Sequence, residues 1–418
     1  MQPLSRQDEM SNTTSTRPLN VLYIQHVGVN GGATRSMLLL VDHLARTAVV
    51  PFLIVPRGPI VEHLVQHGYR FIAVRGVSQF DNSLLSAYRG VRWLVLLREL
   101  GLLPGTVLAL FRARRIWNQV DVIHVNDWSM LPTALLAKLV IGRPIVLHIR
   151  TMQSTKSTLR RKWLLWSAQR YVDQIIAIDS AVASSIAPVP SLVIHNGAEM
   201  PSREQPCERE RDGVLRIGIV ANFLRNKGVE DFVEAANICI GDFGLRDVVF
   251  HFFGDSQQKT RGLYAGALKK LGMRHDVKAD VLMKVREYGI SSQVTFEGYV
   301  SSPERIYRSI DVLCFPSRLD AVGRPVFEAA AFGRPSIVAL KTRRTDDAIV
   351  DGLTGFVVPE GDTMALAHAI RRFYEERVLV SRMGAAAFEH ARVRHDIERV
   401  AERMRKVYET LGCITQIK

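Results

Sequence analysis

The chain has 418 residues, of which 47% are hydrophobic and 23% charged. That composition excludes a disordered or fibrous protein and sets an expectation of two to three domains, each able to bury a core. Lys and Arg number 55 against 41 Asp and Glu, a net charge of +14, with +10 in residues 1–205 and +4 in the remainder; a basic first half points to an anionic partner there, whether nucleic acid, membrane lipid or a phosphorylated substrate.

In chain order, residues 1–16 are polar and lack an apolar run, so a disordered tail to about residue 18 is expected, and no signal peptide. Apolar, β-rich runs at 20–27, 49–56, 69–75, 121–127, 144–150, 174–179 and 191–197 predict strands, with helices between them such as 34–47 and 159–171. Strands apolar on both faces and joined by helical crossovers predict a parallel sheet covered on both sides. The longest apolar stretch, 91–110, contains Arg92, Arg98, Glu99, Gly101 and Pro104 and does not suit a spanning helix. Residues 200–212 are polar, charged and hold two prolines, which reads as a linker. The alternation then restarts at 214–220, 248–254, 293–300, 311–317, 335–340 and 355–359, and helical sequence fills 363–411. The expected fold class is therefore α/β, with two doubly wound, Rossmann-like domains at 19–199 and 214–385. Ligands of such sheets bind outside the carboxyl ends of the strands, and two of them face to face enclose a cleft.

The segment FPSRLDAVGRPVFEAAAFGRPSIVA at 315–339 is the most informative. A strand ends at Ser317, a loop with Asp320 and Gly323 follows, and Pro325 fits the first position of a short helix closed by Gly333. Free N–H groups and the positive dipole end at that helix start suit an anion such as pyrophosphate. Glu328, one turn in, is placed to accept paired hydrogen bonds from ribose hydroxyls, and Asp320 from a sugar ring; the alternative is that both carboxylates only stabilise the helix start. In IGIVANFLRNKGVEDFVEAA (217–236), Lys227 sits on a strand-to-helix turn as a point charge for a phosphate, or as an ordinary surface lysine. Neither G-x-x-x-x-G-K-[ST] nor G-x-G-x-x-G occurs, which argues against a triphosphatase loop and a dinucleotide dehydrogenase. Gly31 and Gly32, between the first strand and first helix, either let a ligand approach the backbone or form a tight turn.

GGATRS, DVIHVND, VIHNGAE at 193–199, the Asn222–Gly228 turn, HFFGD at 251–255, VTFEGYV, the Asp320-to-Glu328 spacing, DGLTGFVV and GDTMALAHAI follow in order over residues 19–376. In this the chain resembles a family 4 glycosyltransferase of the GT-B fold. The resemblance implies retaining transfer of a sugar from a nucleotide-sugar donor on the second domain to a glycan or lipid-linked acceptor on the first. It also implies C-terminal helices (386–418) that cross back to the first domain. By position, it implies that Glu328 binds the ribose and Asp320 the donor sugar, with Val322, Gly323 and Arg324 around sugar and phosphates. Lys227 would hold the pyrophosphate, Gly31 and Gly32 would approach the phosphate or acceptor, Gly254 would belong to the donor site, and Gly298 and Tyr299 would lie beside the base. No cofactor and no metal are expected, the nucleotide-sugar being a substrate.

The chain departs from the family pattern at three places. Asp320 stands where Glu is usual, and Asn222 where an arginine is usual, with Arg225 as a candidate replacement. The first-domain histidine slot falls at Arg150 or, two residues away on the same face, at His148. Asp347 matches a further family acid.

Basic stretches with aromatics and leucines at 87–100 and 158–170, with Arg112, Arg114 and Arg115 between them, fit either helices packed on the sheet or a peripheral surface on an anionic membrane. No nucleic-acid recognition module is visible. The four cysteines, Cys207, Cys239, Cys314 and Cys413, are widely spaced, with no C-x-x-C and no neighbouring histidine pair. Neither a structural zinc site nor a disulfide scaffold is expected, and a cytoplasmic, reducing setting fits. The expected function is a glycosyltransferase in cell-surface polysaccharide or lipopolysaccharide synthesis. The alternatives are a non-catalytic sugar-nucleotide-binding subunit, or a sugar phosphorylase or epimerase on the same fold.

Overall fold

The computed structural model describes residues 17–29, 31–47, 49–83, 95–201, 212–256, 276–319, 321–341 and 347–416. Asp320, most of the expected linker and most of the expected N-terminal tail lie outside these residues, as do 84–94 of the first basic stretch.

The apolar runs form two parallel sheets. The first contains β1 (Leu19–Ile24), β2 (Val49–Pro56), β3 (Arg70–Val74), β4 (Val122–Val125), β5 (Ile145–Ile149), β6 (Gln174–Ala177) and β7 (Leu192–Val193), in the order β3-β2-β1-β4-β5-β6-β7. Its helices are α1 (Gly32–Ala45), α2 (Ile60–Gln66), α3 (Val95–Ile116), α4 (Leu131–Ile141), α5 (Leu159–Tyr171) and α6 (Ser180–Ser185). The second contains β8 (Leu215–Val220), β9 (Val248–Phe253), β10 (Val294–Gly298), β11 (Val312–Phe315), β12 (Ser336–Leu340) and β13 (Gly355–Pro359), in the order β10-β9-β8-β11-β12-β13. Its helices are α7 (Val229–Asn237), α8 (Val277–Glu287), α9 (Pro303–Ser309), α10 (Arg324–Ala331), α11 (Thr363–Glu375) and α12 (Val378–Arg394), followed by a last helix, α13 (Ile397–Gln416). The two doubly wound α/β sheets expected from the sequence are both present.

Both faces of each sheet are buried, which is why the strands read as continuous apolar runs rather than alternating ones. Leu22, Ile24, Phe52, Ile123 and Leu147 pack with α3, α4 and α5 on one face of the first sheet. Val21, Tyr23, Leu53 and Val146 pack on the other face with α1 and, from the far end of the chain, with Ile397, Val400, Met404, Tyr408 and Leu411 of α13. Those five side chains recur every three or four residues, so one stripe of α13 faces the sheet. The last helix thus returns to the first half. It crosses at His395, whose carbonyl accepts from the Ala198 N–H at 2.6 Å.

Candidate active site

In both sheets the strand order reverses at one point, between β1 and β4 and between β8 and β11. Loops leaving the carboxyl ends of those strands diverge and open a crevice, the general ligand position in such sheets. The sequence-derived candidates among the described residues sit on these loops or beside them.

In the second half, β8 runs into the turn that carries Asn222, Arg225 and Lys227. Arg225 to Lys227 form a single 3₁₀ turn ended by Gly228 at φ +69°. A Cβ on Gly228 would lie 1.9 Å from the Pro316 carbonyl oxygen, so only glycine allows this turn to press against the end of β11. The Arg318 N–H donates to the Asn226 carbonyl at 3.0 Å, and Arg318 pairs with buried Asp231 at the start of α7. These contacts clamp the lysine turn to the loop that leads towards Asp320. Lys227 is half-buried there, and burial lowers its pKa. Among the described residues no carboxylate pairs with it. Asn222 is half-buried, and Arg225 is exposed.

Gly323 is the N-cap of α10, with Arg324 as first helical residue and Pro325 second, one place later than the sequence suggested. A Cβ on Gly323 would meet the Phe315 ring at 2.6 Å, which accounts for glycine there. Val322 is half-buried against the same core cluster. Glu328 is buried and fully engaged. Tyr307 donates to its Oε2 at 2.9 Å, and Arg324 donates to its Oε1 from Nε at 3.1 Å and Nη2 at 2.7 Å. The third arm of Arg324, Nη1, donates to Ser36 Oγ of α1 at 2.5 Å and so bridges the two halves. Gly254, after β9, has φ +134°, and a Cβ there would collide with the Ala221 carbonyl at 2.0 Å. Its N–H donates to the Gly298 carbonyl at 2.7 Å, and Tyr299 stands 73% exposed beside it. The three lie together at the carboxyl ends of β9 and β10.

In the first half, Gly31 caps α1 at φ −96° with no side-chain cap, and Gly32 begins the helix. A Cβ on Gly32 would lie 3.6 Å from Arg324 Cδ. The starts of α1 and α10 therefore face one another, each on a glycine. By contrast, α5, α6, α8, α9 and α11 close their first turns with Thr158, Asp179, Asp276, Ser302 and Asp362. The first-turn amides of α1 and α10 have no such cap and meet at the crevice with the positive ends of both helix dipoles.

Arg150 and His148 share a face of β5 but differ in depth. Arg150, just past the strand end, donates from Nε to Asn126 Oδ1 and from Nη1 to Asn196 Oδ1 at 2.5 Å, which ties together the ends of β4, β5 and β7. Burial lowers its pKa to about 9, with Asp127 opposing and Arg324 adding to the shift, so it remains a cation at neutral pH. His148 lies beneath it, 3.3 Å from Arg150 Nη2. Burial, and then the Arg150 charge, hold His148 well below the usual imidazole pKa. Asp347 accepts from the Ser180 N–H at 2.5 Å and its hydroxyl at 3.0 Å, which makes a second bridge between the halves.

Sequence reasoning missed Ser36, Tyr307, Asn126 and Asn196 as members of this cluster. Asn126 and Asn196 stand inside the quoted segments DVIHVND and VIHNGAE, where a polar residue past an apolar strand end was the available signal. Ser36 closes the quoted segment GGATRS, where nothing set it apart from its neighbours, and Tyr307 gave no signal.

Two parallel-sheet domains meeting across such a crevice define the GT-B class of sugar-transferring enzymes. Residues 30–200 match the family described as Glycosyltransferase Family 4, and residues 214–376 match Glycosyl transferases group 1. The chain belongs to family 4 of the glycosyltransferases and is a glycosyltransferase. It is 27% identical over 308 residues to the lipopolysaccharide core biosynthesis mannosyltransferase LpcC of Rhizobium leguminosarum bv. viciae, covering 72% of this chain and 79% of the relative. It is 25% identical to a D-inositol 3-phosphate glycosyltransferase of Corynebacterium diphtheriae, covering 84% and 82%. The crystal structure of Anabaena Alr3699/HepE in complex with UDP superposes with a TM-score of 0.72 at 18% identity, over 94% of this chain and all of that one, and establishes the shared fold.

Proposed function

We propose that the protein moves a sugar, with retention of anomeric configuration, from a nucleotide-sugar donor to a glycan or lipid-linked acceptor in surface polysaccharide or lipopolysaccharide synthesis. One observation carries the reading: the Lys227 ammonium is half-buried at the mouth of the second sheet, without a carboxylate partner among the described residues. A desolvated, unpaired cation costs folding free energy unless an anion meets it. The start of α10 adds main-chain donors on the same side. A nucleoside diphosphate fits between them, and both supply charge where it builds as the leaving group departs.

Glu328 then takes the ribose and Asp320 the donor sugar. Ribose needs the Oε1 that Arg324 occupies, so donor binding exchanges Arg324 for ribose hydroxyls while Tyr307 keeps hold of Oε2. Arg324 so released, rather than exposed Arg225, supplies the second positive charge that Asn222 lacks. Arg150 fills the first-domain position beside the transferred sugar, and Gly31 and Gly32 leave room at the start of α1 for donor or acceptor. The chain's own cations meet the leaving-group charge, and no metal is assigned to the transfer step.

The acceptor side is read from α3, α4 and α5. Leu97, Leu100, Leu108 and Phe111 form an exposed stripe on α3, Leu139 is exposed on α4, and Trp163 and Trp166 are exposed on α5. Exposed Arg112, Arg115, Lys162 and Arg170 lie among them. This face suits an anionic membrane surface and a lipid-linked acceptor. Among the described residues no helix is long and apolar enough to cross a membrane.

A thermal-shift screen of UDP-, GDP- and ADP-sugars identifies the donor, because a ligand that prefers the folded state raises the midpoint by mass action. With that donor, Lys227→Ala and Glu328→Ala should each cut transfer by roughly 10²- to 10³-fold, the loss typical of a removed charge-stabilising group, with circular dichroism unchanged. Wild-type turnover by either variant removes its role. A product of inverted configuration would overturn retention, while use of free phosphate as acceptor or release of an epimerised sugar would replace transfer by the rival activities.

A further inference from the structure

We propose a second site, for a divalent transition-metal ion of the zinc class, built by Asp42, His63 and His67 at the outer edge of the first sheet. His63 lies on α2 and His67 ends it, four residues apart, so both rings leave the same helix face. The rings stack with centroids 4.0 Å apart. Asp42, in the last turns of α1, brings its carboxylate to 3.1 Å from His63 Nε2. One ligand atom from each of the three residues falls within 4.8 Å of the other two. Ligands about 2.0–2.2 Å from a shared tetrahedral ion stand about 3.4 Å apart, so a small movement of the exposed His67 ring would complete the set.

The groups around these three side chains are arranged as the outer shell of a metal site. The Tyr69 hydroxyl donates to Asp42 Oδ1 at 2.8 Å and holds the carboxylate in place. His67 Nδ1 lies 2.9 Å from the His63 carbonyl oxygen, which can only accept. His67 therefore carries its proton on Nδ1 and keeps the Nε2 lone pair for a ligand, the tautomer a metal-bound histidine takes when its other nitrogen bonds a carbonyl. The ion would take the place of the proton shared by His63 and Asp42.

Two nitrogens and one oxygen, with the fourth position left for water, suit zinc or its neighbours better than calcium or magnesium. Asp42 is ten residues along α1 from Gly32, about 15 Å by helical rise, so the ion would sit away from the crevice. It would staple α1 to α2 and, through Tyr69, to the start of β3. Expectations from the cysteines passed over this site; the signal in the sequence is H-x-x-x-H at 63–67.

The test uses the full chain, with any affinity tag removed and metal stripped by EDTA. It is done in a Cys413→Ser background so that this exposed free thiol does not compete for zinc. Calorimetric titration with zinc chloride should show one ion per chain, and saturating zinc should raise the thermal midpoint. His63→Ala and His67→Gln should each weaken binding by at least about tenfold. The visible absorption of the cobalt-substituted protein should be lost in His67→Gln, a change on an exposed side chain that leaves the fold intact by circular dichroism. Absence of saturable one-to-one binding, or binding that these variants leave unchanged, overturns the proposal.

Discussion

Arg150 stands where the sequence left two residues in competition for one position, and physical chemistry separates them. An arginine past the end of β5 reaches Asn126 and Asn196 with two arms of a fixed fork, a geometry lysine cannot reproduce. His148 lies deeper, held neutral by burial and by the charge of Arg150 above it. Arg150→Lys should therefore lower the rate of transfer at least tenfold, while His148→Gln, which keeps a side chain of similar size that Arg150 can reach, should stay within a few-fold of wild type. Because a guanidinium keeps its proton across the neutral range, this position should add no titration to the rate between pH 5.5 and 8. A fall in rate near the ordinary imidazole pKa that disappears in His148→Gln would hand the position to histidine. The residue types of the site were legible in the chain: Lys227, Gly323 and Glu328 stand at a strand or helix start where their chemistry has an obvious use. Their pairings were not. Arg324 reaches Ser36 across 288 positions of sequence, and nothing local to either residue announces the contact.

At the scale of elements, the strands were readable because burial on both faces leaves apolar runs that few other arrangements tolerate. Twelve of the thirteen strands described fall within expected runs and β1 starts one residue early, at Leu19; β2 and β13 match their runs, and most other ends are trimmed by one to four residues, as where Asn126 and Arg150 turn to the crevice. Helix faces were harder to read, since an apolar stripe does not say what covers it. That ambiguity is sharpest on α3. Leu97, Leu100, Leu108 and Phe111 follow helical periodicity, yet they point outward, while Thr106, Ala109, Leu110 and Ala113 take the inward face. With Trp163 and Trp166 of α5 on a surface that also carries arginine, the patch has the composition of a membrane-contacting face rather than a misplaced core. Vesicles containing about 30% anionic lipid should co-sediment the protein, and neutral vesicles should not, since roughly 1 kcal/mol per basic residue comes from the surface potential. Trp163→Ser together with Trp166→Ser should release it without changing hydrolysis of a soluble donor. Equal binding to neutral vesicles, or none to either, would return the face to ordinary solvent exposure.

For the whole molecule, the question is what holds two sheets and a returning helix in one arrangement. The α13 stripe buries five large side chains on the first sheet, at about 1.5–3 kcal/mol each, a gross term as large as the net stability of many domains. At one end of that return His395 stacks on Phe327 of α10 at 4.6 Å and bonds the Asn196 carbonyl at 2.9 Å. Along α13, Tyr408 meets His124 Nδ1 at 2.8 Å. Burial pulls both histidines to a pKa of about 3, aided by Arg150 at His124, and at His395 against the Asn196 bond. Unfolded, each would titrate near 6.5, so the folded chain binds fewer protons below that pH. Their contribution is complete above pH 6.5 and is lost as pH falls towards 3, at about 1.4 kcal/mol per unit for each histidine. Between pH 6.5 and 5 the two together remove roughly 4 kcal/mol. Urea titrations at pH 7.5 and pH 5 should show at least that loss in the wild type, since buried His148 titrates in the same sense, and a loss smaller by roughly 2 kcal/mol in His395→Asn, which takes no proton. If His395→Asn loses as much as the wild type, the crossover histidine is not the acid-sensitive element, and the return of α13 would have to be held by its apolar stripe alone.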